Sequence, residues 1–447
     1  MKVMIMEHNE RGSTLIIVVW FIAIAGILAT FLFYSSQAQW ASVVHFEKQQ
    51  RYTRIAQAVL HEYLGLLVKD DKEFNSPQDD WYAGGRVDVS PDEHEGFEGY
   101  EVTLIIEDEG SKPNINTLSE AALGQLLKIV TTELAGPSDS PSSSPTASPT
   151  PTEASPSGSP SAKPEISLDP ILDWRDRNSE PRPGGAENNY YQDLNPSYKS
   201  RDGCFSSLEE IKLLKNGDQL YELLAPELTV FGKVNPNTIS GETFCDILHS
   251  AGDFFSDGEL DTIQEQFEDY RSTKVRFEEV DNVGDLGKIT SITFDKFKGL
   301  LRIGGTCNVN MATKTSLSVI LKDAGYGDAE VNNILSRRKT GPFENVSGTY
   351  GLLGYNPRIT TKEKRKPDDI FTTISTIIRY QIWVRSAKSQ DCYYLDMVWQ
   401  RQKAGVKKEW QVTPLASREL WNKAAPEIPQ LEEETEDEQN KEPSPSP

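Results

Sequence analysis

KPNINTLSEAALGQLL, residues 112–127, has two related copies in this chain, KVNPNTISGETFCDIL at 233–248 and TCNVNMATKTSLSVIL at 306–321. Each copy opens on paired asparagines, Asn114/Asn116, Asn235/Asn237 and Asn308/Asn310, and then reaches a hydroxyl residue, Ser119, Ser240 or Thr313. Apolar residues follow at matched helical offsets: Leu123/Leu126/Leu127, Phe244/Ile247/Leu248 and Leu317/Ile320/Leu321. The hydroxyl suits an N-cap, because its oxygen accepts from an orphan N–H of the first helical turn. The asparagines ahead of it bond their own backbone and shape the turn into the helix. Agreement at so many positions in three places marks an internal repeat, so the body of the chain reads as a set of related helical modules.

Toward the N-terminus the chemistry changes. Leu15–Tyr34, LIIVVWFIAIAGILATFLFY, carries no charge and is long enough to cross a bilayer as one helix. It is longer than an ordinary signal-peptide core, which argues against cleavage near the Ser36-x-Ala38 pair. Arg11-Gly12-Ser13 stands just before it, after a short polar leader. A glycine ending a leader against an apolar helix resembles the cleavage site of type IV prepilin-like proteins, cut between Gly12 and Ser13. Trp40, Val44, Ile55, Val59, Leu60, Tyr63, Leu64 and Leu67 continue at three- and four-residue steps. That spacing predicts one long helix, half in lipid and half packed on a soluble head. An ordinary single-pass anchor is the plainer reading of the N-terminus alone.

The formal net charge is -22. Such an acidic surface repels phosphate backbones, which argues against general nucleic-acid affinity. The four cysteines, Cys204, Cys245, Cys307 and Cys392, show no CxxC spacing and hence no zinc site. Disulfides whose pairing the sequence leaves open and buried free thiols both stand as readings. Residues 137–164 are almost wholly Ser, Pro, Thr and Ala, an insert that cannot bury a core, and the end of the chain from about Glu427 reads as an acidic disordered tail. Strand-like alternation marks Val87–Val89 and Tyr100–Ile106 early, and Ile374–Val384, Cys392–Gln400 and Glu409–Thr413 late. Strands flanking a helical middle predict one α/β head with a large helical insertion.

Several blocks then occur in a telling order. After the Arg11-Gly12 junction come Glu107–Lys112 leading into Asn114-Ile115-Asn116, the run Leu172-Asp173-Trp174-Arg175-Asp176-Arg177-Asn178, Gly184-Gly185-Ala186-Glu187 with Tyr190-Tyr191, Leu208–Ile211, and Lys233–Thr238. In order and spacing to about Leu248 the chain resembles the K-type minor pseudopilins of the type II secretion system, also called general secretion pathway protein K. It departs from them in its weakly charged leader, its Ser/Pro insert and its third module. The resemblance implies an α+β fold with a pilin-like long N-terminal transmembrane helix, a small antiparallel sheet and a large all-α (helix-hairpin-helix/SAM-like) insertion. The divisions are then a leader at 1–12, a transmembrane helix at 13–35, the first part of the head at 36–110, the insertion at 111–360, closing strands at 361–416 and a tail at 417–447.

What the resemblance implies about function is equally definite: a non-enzymatic subunit at the tip of a pseudopilus, anchored in the inner membrane with a periplasmic head, serving protein export. The partners it implies are other minor pseudopilins, the major pseudopilin, prepilin peptidase, and secreted substrate and secretin. N-methylation after cleavage is implied as well. Pilin-like proteins carry Glu at the fifth mature position to pair with a neighbour's ammonium, whereas here that position is Ile17. A subunit with no neighbour above it has no ammonium to meet, and an unpaired carboxylate in lipid is costly.

Asp173, Asp176, Asn178 and Glu187 supply hard oxygen ligands in a turn-rich stretch, and the family's calcium-binding members extend that to Ca²⁺. Helix caps and salt bridges to Arg175 and Arg177 are the other reading of the same residues. The third module also resembles a helix-hairpin-helix unit of DNA-receptor type, with a turn at Gly325-Tyr326-Gly327 and cations at Arg337 and Arg338. A membrane-anchored DNA receptor is therefore the alternative function, opposed by Asp323, Asp328 and Glu330 around that turn. His61, His94 and His249 stand without a matched nucleophile, so no catalytic constellation is expected.

Overall fold

The computed structural model describes residues 10–90, 94–135, 166–274, 276–287, 289–356, 364–389, 391–404, 409–422 and 425–428. The Ser/Pro insert at 137–164, most of the leader and the tail beyond 428 lie outside the described residues. The fold is α+β.

Helix α1 runs Glu10–Lys69 with no proline to interrupt it, a rod about 90 Å long at 1.5 Å per residue. Its apolar first half is not packed against the other described residues, and Leu15, Phe21 and Phe31 are about two-thirds exposed. Packing begins at Tyr52. From there Ile55, Ala56, Val59, Leu60, Leu64 and Leu67 are buried against a sheet, with Tyr63 half-buried beside them. Trp40 and Val44, expected to pack on the head, are exposed. The helix leaves the head before it reaches them, so the unpartnered apolar surface extends beyond the membrane-length run.

The sheet is antiparallel throughout, in the order β1 (Arg86–Val89), β2 (Tyr100–Asp108), β5 (Ile377–Ser386), β6 (Cys392–Ala404) and β7 (Glu409–Trp421). β7 runs past residue 416 into the stretch read as tail. Alternation along β2 and β5 sends Val102, Leu104, Ile106, Tyr380, Ile382 and Val384 onto α1. β2 and β5 are neighbours in the sheet, with Asp108 opposite Ile378, although the whole helical middle lies between them in sequence.

That middle holds α2 (Glu120–Ala135), α3 (Asp169–Arg175), α4 (Asn188–Gln192), α5 (Gly217–Leu224), α6 (Gly241–Ala251), α7 (Asp257–Lys274), α8 (Asp281–Gly284), α9 (Ser291–Phe297), α10 (Lys314–Asp323), α11 (Asp328–Arg338) and α12 (Pro367–Ile370). A minimal parallel pair, β3 (Cys307–Asn308) with β4 (Phe371–Thr372), closes it. Three hydrophobic clusters follow the three modules. Leu123, Leu126, Trp174 and Leu220 lie in the first, Phe244, Leu248, Phe267 and Phe277 in the second, and Leu317, Leu321, Val331 and Phe343 in the third.

A buried polar junction ties α1, the third module and the sheet together. Asn75 accepts from Ser375 N at 3.1 Å, and its carbonyl accepts from Asn310 Nδ2 at 3.0 Å. Ser375 Oγ and Ser111 Oγ both donate to Asp108 at 2.7 Å. Arg401, fully buried, donates to the Asp70 carbonyl and stacks 4.0 Å over the Trp410 ring. All four cysteines are free thiols, and Cys245, Cys307 and Cys392 are buried.

Candidate functional site

Each Asn-x-Asn builds the same device. The first asparagine's side chain accepts from the second's backbone N–H, at 2.9 Å for Asn114–Asn116, 3.1 Å for Asn235–Asn237 and 3.0 Å for Asn308–Asn310. The second asparagine then clasps one distant phenylalanine by both backbone groups. Asn116 accepts from Phe205 N at 2.7 Å and donates to Phe205 O at 3.0 Å. Asn237 does so with Phe277 at 2.8 and 2.9 Å, and Asn310 with Phe343 at 2.7 and 2.9 Å. Ser119, Ser240 and Thr313 cap their helices by accepting from Ala122, Thr243 and Ser316 N–H groups.

Each module also closes where it opened. Asn114 bridges Thr229, Val234 bridges Leu301, and Cys307–Asn308 pair with Phe371–Thr372, all in parallel. Reasoning from sequence missed the clasp partners, yet the signal was present. Phe205-Ser206-Ser207-Leu208, Phe277-Glu278-Glu279-Val280 and Phe343-Glu344-Asn345-Val346 share a Phe-x-x-aliphatic pattern, and 228–237 and 301–310 share L-x-[VI]-x-G-x-[VC]-N-x-N.

The carboxylate block folds on itself. Asp173 is fully buried on α3 and accepts from Arg182 N at 3.1 Å, the Arg182 guanidinium at 2.8 Å and Ala186 N at 2.9 Å. Gly185 is required beside it, since a Cβ there would come within 1.8 Å of an Asp173 carboxylate oxygen. Arg182 also pairs with Asp176. Asn178 is exposed and its side chain accepts from Glu180 N at 2.8 Å. Arg177 pairs with Asp261, and the Arg175 guanidinium donates to Ile115 O. Asp173 and Asp176 therefore share a cation from their own chain.

Glu187 is different. It is buried, its Oε1 has no hydrogen-bond partner, and Ser200 Oγ lies within reach of both Glu187 Oε2 and Asp202 Oδ1. Burial, then the neighbouring charges of Asp202, Asp173 and Asp176, push its carboxyl up to about 7. Asp202, which sequence reasoning did not single out, completes this second pair. Among the described residues, no group of three or more His, Cys, Asp or Glu is arranged to hold a metal.

In the third module, α10 and α11 form a helical hairpin through Gly325–Gly327. Only Gly325 takes the left-handed region, at φ 85°, whereas Gly327 is extended. The Gly327 N–H that a phosphate would need donates to Glu330 at 3.0 Å, and Lys364 sits 3.3 Å from that carboxylate. Asp323 pairs with Arg365 at 2.6 Å. Arg338 donates to the Val309 and Ala312 carbonyls, and Arg337 donates to Thr340 and Gly341 and lies over the Phe343 ring. The Gly327 N–H, Arg337 and Arg338, which the DNA-receptor alternative would use, are thus engaged within the chain. Gly12 and Ser13 fall within α1, and Ile17, four residues on from Ser13, is 65% exposed.

Residues 155–233 match the family model described as type II secretion system (T2SS), protein K. The structure is similar to a chain in the crystal structure of the GspK-GspI-GspJ complex from the enterotoxigenic Escherichia coli type 2 secretion system. That likeness has a TM-score of 0.45 and 11% sequence identity, covering 85% of this chain and 98% of that one. No curated protein matches the chain.

Proposed function

We propose that this chain, whose residues 155–233 match the protein K family model, is a minor pseudopilin that caps a type II secretion pseudopilus and serves export across the outer membrane. One observation carries the reading: a single uninterrupted helix, Glu10–Lys69, is apolar and unpartnered in its first half and docked on an antiparallel sheet in its second. That division lets the first half sit in the inner membrane before assembly and pack among neighbouring helices afterwards. Prepilin peptidase cuts between Gly12 and Ser13, and the new N-terminus is methylated. Ile17 leaves no carboxylate in search of a neighbour's ammonium, which suits the last subunit of a filament. The helical middle, inserted between β2 and β5, gives the head its bulk and surfaces for the other minor pseudopilins, the major pseudopilin, substrate and secretin. The role needs no catalysis.

Processing tests this reading. Expressed in membranes with prepilin peptidase, the mature protein should begin at Ser13. An intact Met1, or a start at Gln39, would contradict it.

Calcium belongs in the same proposal, at Glu187 and Asp202 more than at Asp173 and Asp176, which Arg182 already neutralises. An orphaned buried carboxylate oxygen beside a second carboxylate suits a hard cation. The sign of the pH effect follows from Glu187. The unfolded carboxyl releases its proton near 4.5 and the folded one near 7, so stability is lost as pH rises through that window. Glu187→Gln should flatten that part of the melting-temperature profile. Ca²⁺ should raise the melting temperature of the wild type above pH 7, and do so far less in Glu187→Gln. A calcium response identical in the two proteins would remove the ion from this position.

A further inference from the structure

The face of the sheet turned away from α1 carries charged rows. Glu107, Arg379, Val398 and Ala416 lie side by side across four strands, with Gln381, Asp396 and Arg418 in the next row. The first module stands over them and leaves a groove of about 790 Å³, walled by Leu208, Pro226 and Phe231 on one side and Val398 and Leu415 on the other. Arg418 of β7 and Glu209 of the module pair at 2.7 Å across it.

The charges beneath this groove do not balance. Arg379 spends its fork on Asp396, at 2.9 and 2.7 Å, and Lys112 sits 2.9 Å from Glu107. That leaves Glu109, which lines the groove with its side chain only 1% exposed. Neither of its carboxylate oxygens has a hydrogen-bond partner, and the nearest cations stand off at 3.5 and 3.9 Å. Three carboxylates thus share two cations at the floor, and among the described residues of the rim Glu209 and Glu222 stand with one cation, Arg418. A cleft with low-dielectric walls and surplus negative charge focuses its field on incoming cations. The two longest segments outside the described residues, 136–165 and 429–447, are poor candidates to fill it, with one lysine each among several acidic residues.

We infer that this groove docks a protruding segment of a neighbouring pseudopilin head, one that presents an arginine or lysine toward Glu109 with apolar residues against Leu415 and Phe231. The inference rests on the reading given under Proposed function and names the surface it uses. An arginine supplies five N–H donors to a carboxylate that lacks any, which makes it the fitting side chain.

The test uses the full-length chain in detergent, with the other minor pseudopilins of the same system as probes and affinity as the readout. Leu415 is 42% exposed and Glu222 is exposed, so neither substitution should disturb folding. Glu222→Lys and Leu415→Lys should each weaken binding to one of those subunits at least tenfold, and Ile292→Lys, on the second module, should leave it unchanged. Raising salt should weaken the wild-type complex and narrow its gap from Glu222→Lys. Binding that both groove variants leave intact would overturn this assignment alone. Failure of the wild-type chain to bind any of the subunits would overturn the pseudopilin reading and the groove assignment together.

Discussion

Asn237→Ala should destabilise the helical middle by about 2–6 kcal/mol, because it strands two buried backbone groups at about 1–3 kcal/mol each. Phe277 is fully buried, and its N–H and carbonyl have the Asn237 side chain as their partner at 2.8 and 2.9 Å. Alanine supplies neither acceptor nor donor. Asn237→Asp keeps the acceptor but turns an anion toward the Phe277 carbonyl, so it should not rescue. The same substitution at Asn333, an exposed residue bonded to the Leu352 carbonyl, should cost under about 1 kcal/mol. Urea unfolding followed by circular dichroism reads the comparison. Equal midpoints for the Asn237 and Asn333 variants would mean that the clasp holds nothing together.

The second large effect is expected at Asp173. Its carboxylate is fully buried and takes three donors, two of them backbone N–H groups and the third the Arg182 guanidinium. Asp173→Ala leaves two backbone N–H donors without their acceptor and leaves Arg182 with Asp176 alone of its two carboxylates, and breaking one side of a buried pair costs about 3–5 kcal/mol. Arg182→Met should cost less than Asp173→Ala, because Arg182 is about one-third exposed and Asp173 keeps its backbone donors. The double variant should fall well short of the sum of the two singles, since each removes the same ion pair. Additive losses would separate the two residues and return Asp173 to the set available for a metal.

Much of this was legible beforehand because the deciding signals are periodic. A charge-free run, a three-to-four-residue apolar step and a strand alternation each reflect one local geometry, and α1, β2 and β5 formed where those patterns lay. The repeat of Asn-x-Asn before a hydroxyl gave the three helix starts at Ser119, Ser240 and Thr313. Partners remote in sequence were not legible. Phe205 lies 89 residues from Asn116, and no local pattern says which backbone an asparagine side chain will reach. The carboxylate block shows a related limit: ligand-like spacing shows which oxygens are near in sequence, but not that Arg182 folds back to pair with two of them. Trp40 and Val44 kept the helical period of a packed face without the packing, because periodicity describes the helix and not where its neighbours end.

The hairpin of the third module shows the same limit. The turn at Gly325–Gly327 resembles one that offers N–H groups to a phosphate, but the extended backbone at Gly327 directs its N–H to Glu330. A carboxylate already capping that helix start removes both the donor and the attraction for an anion.

The central claim is that this subunit ends a filament. Gold-labelled antibody against the head, applied to pseudopili assembled in cells that express the whole secretion system, tests it most directly. The account predicts label at one end of each filament and none along its length. Label distributed along the shaft, or filaments that never carry it, would contradict the account.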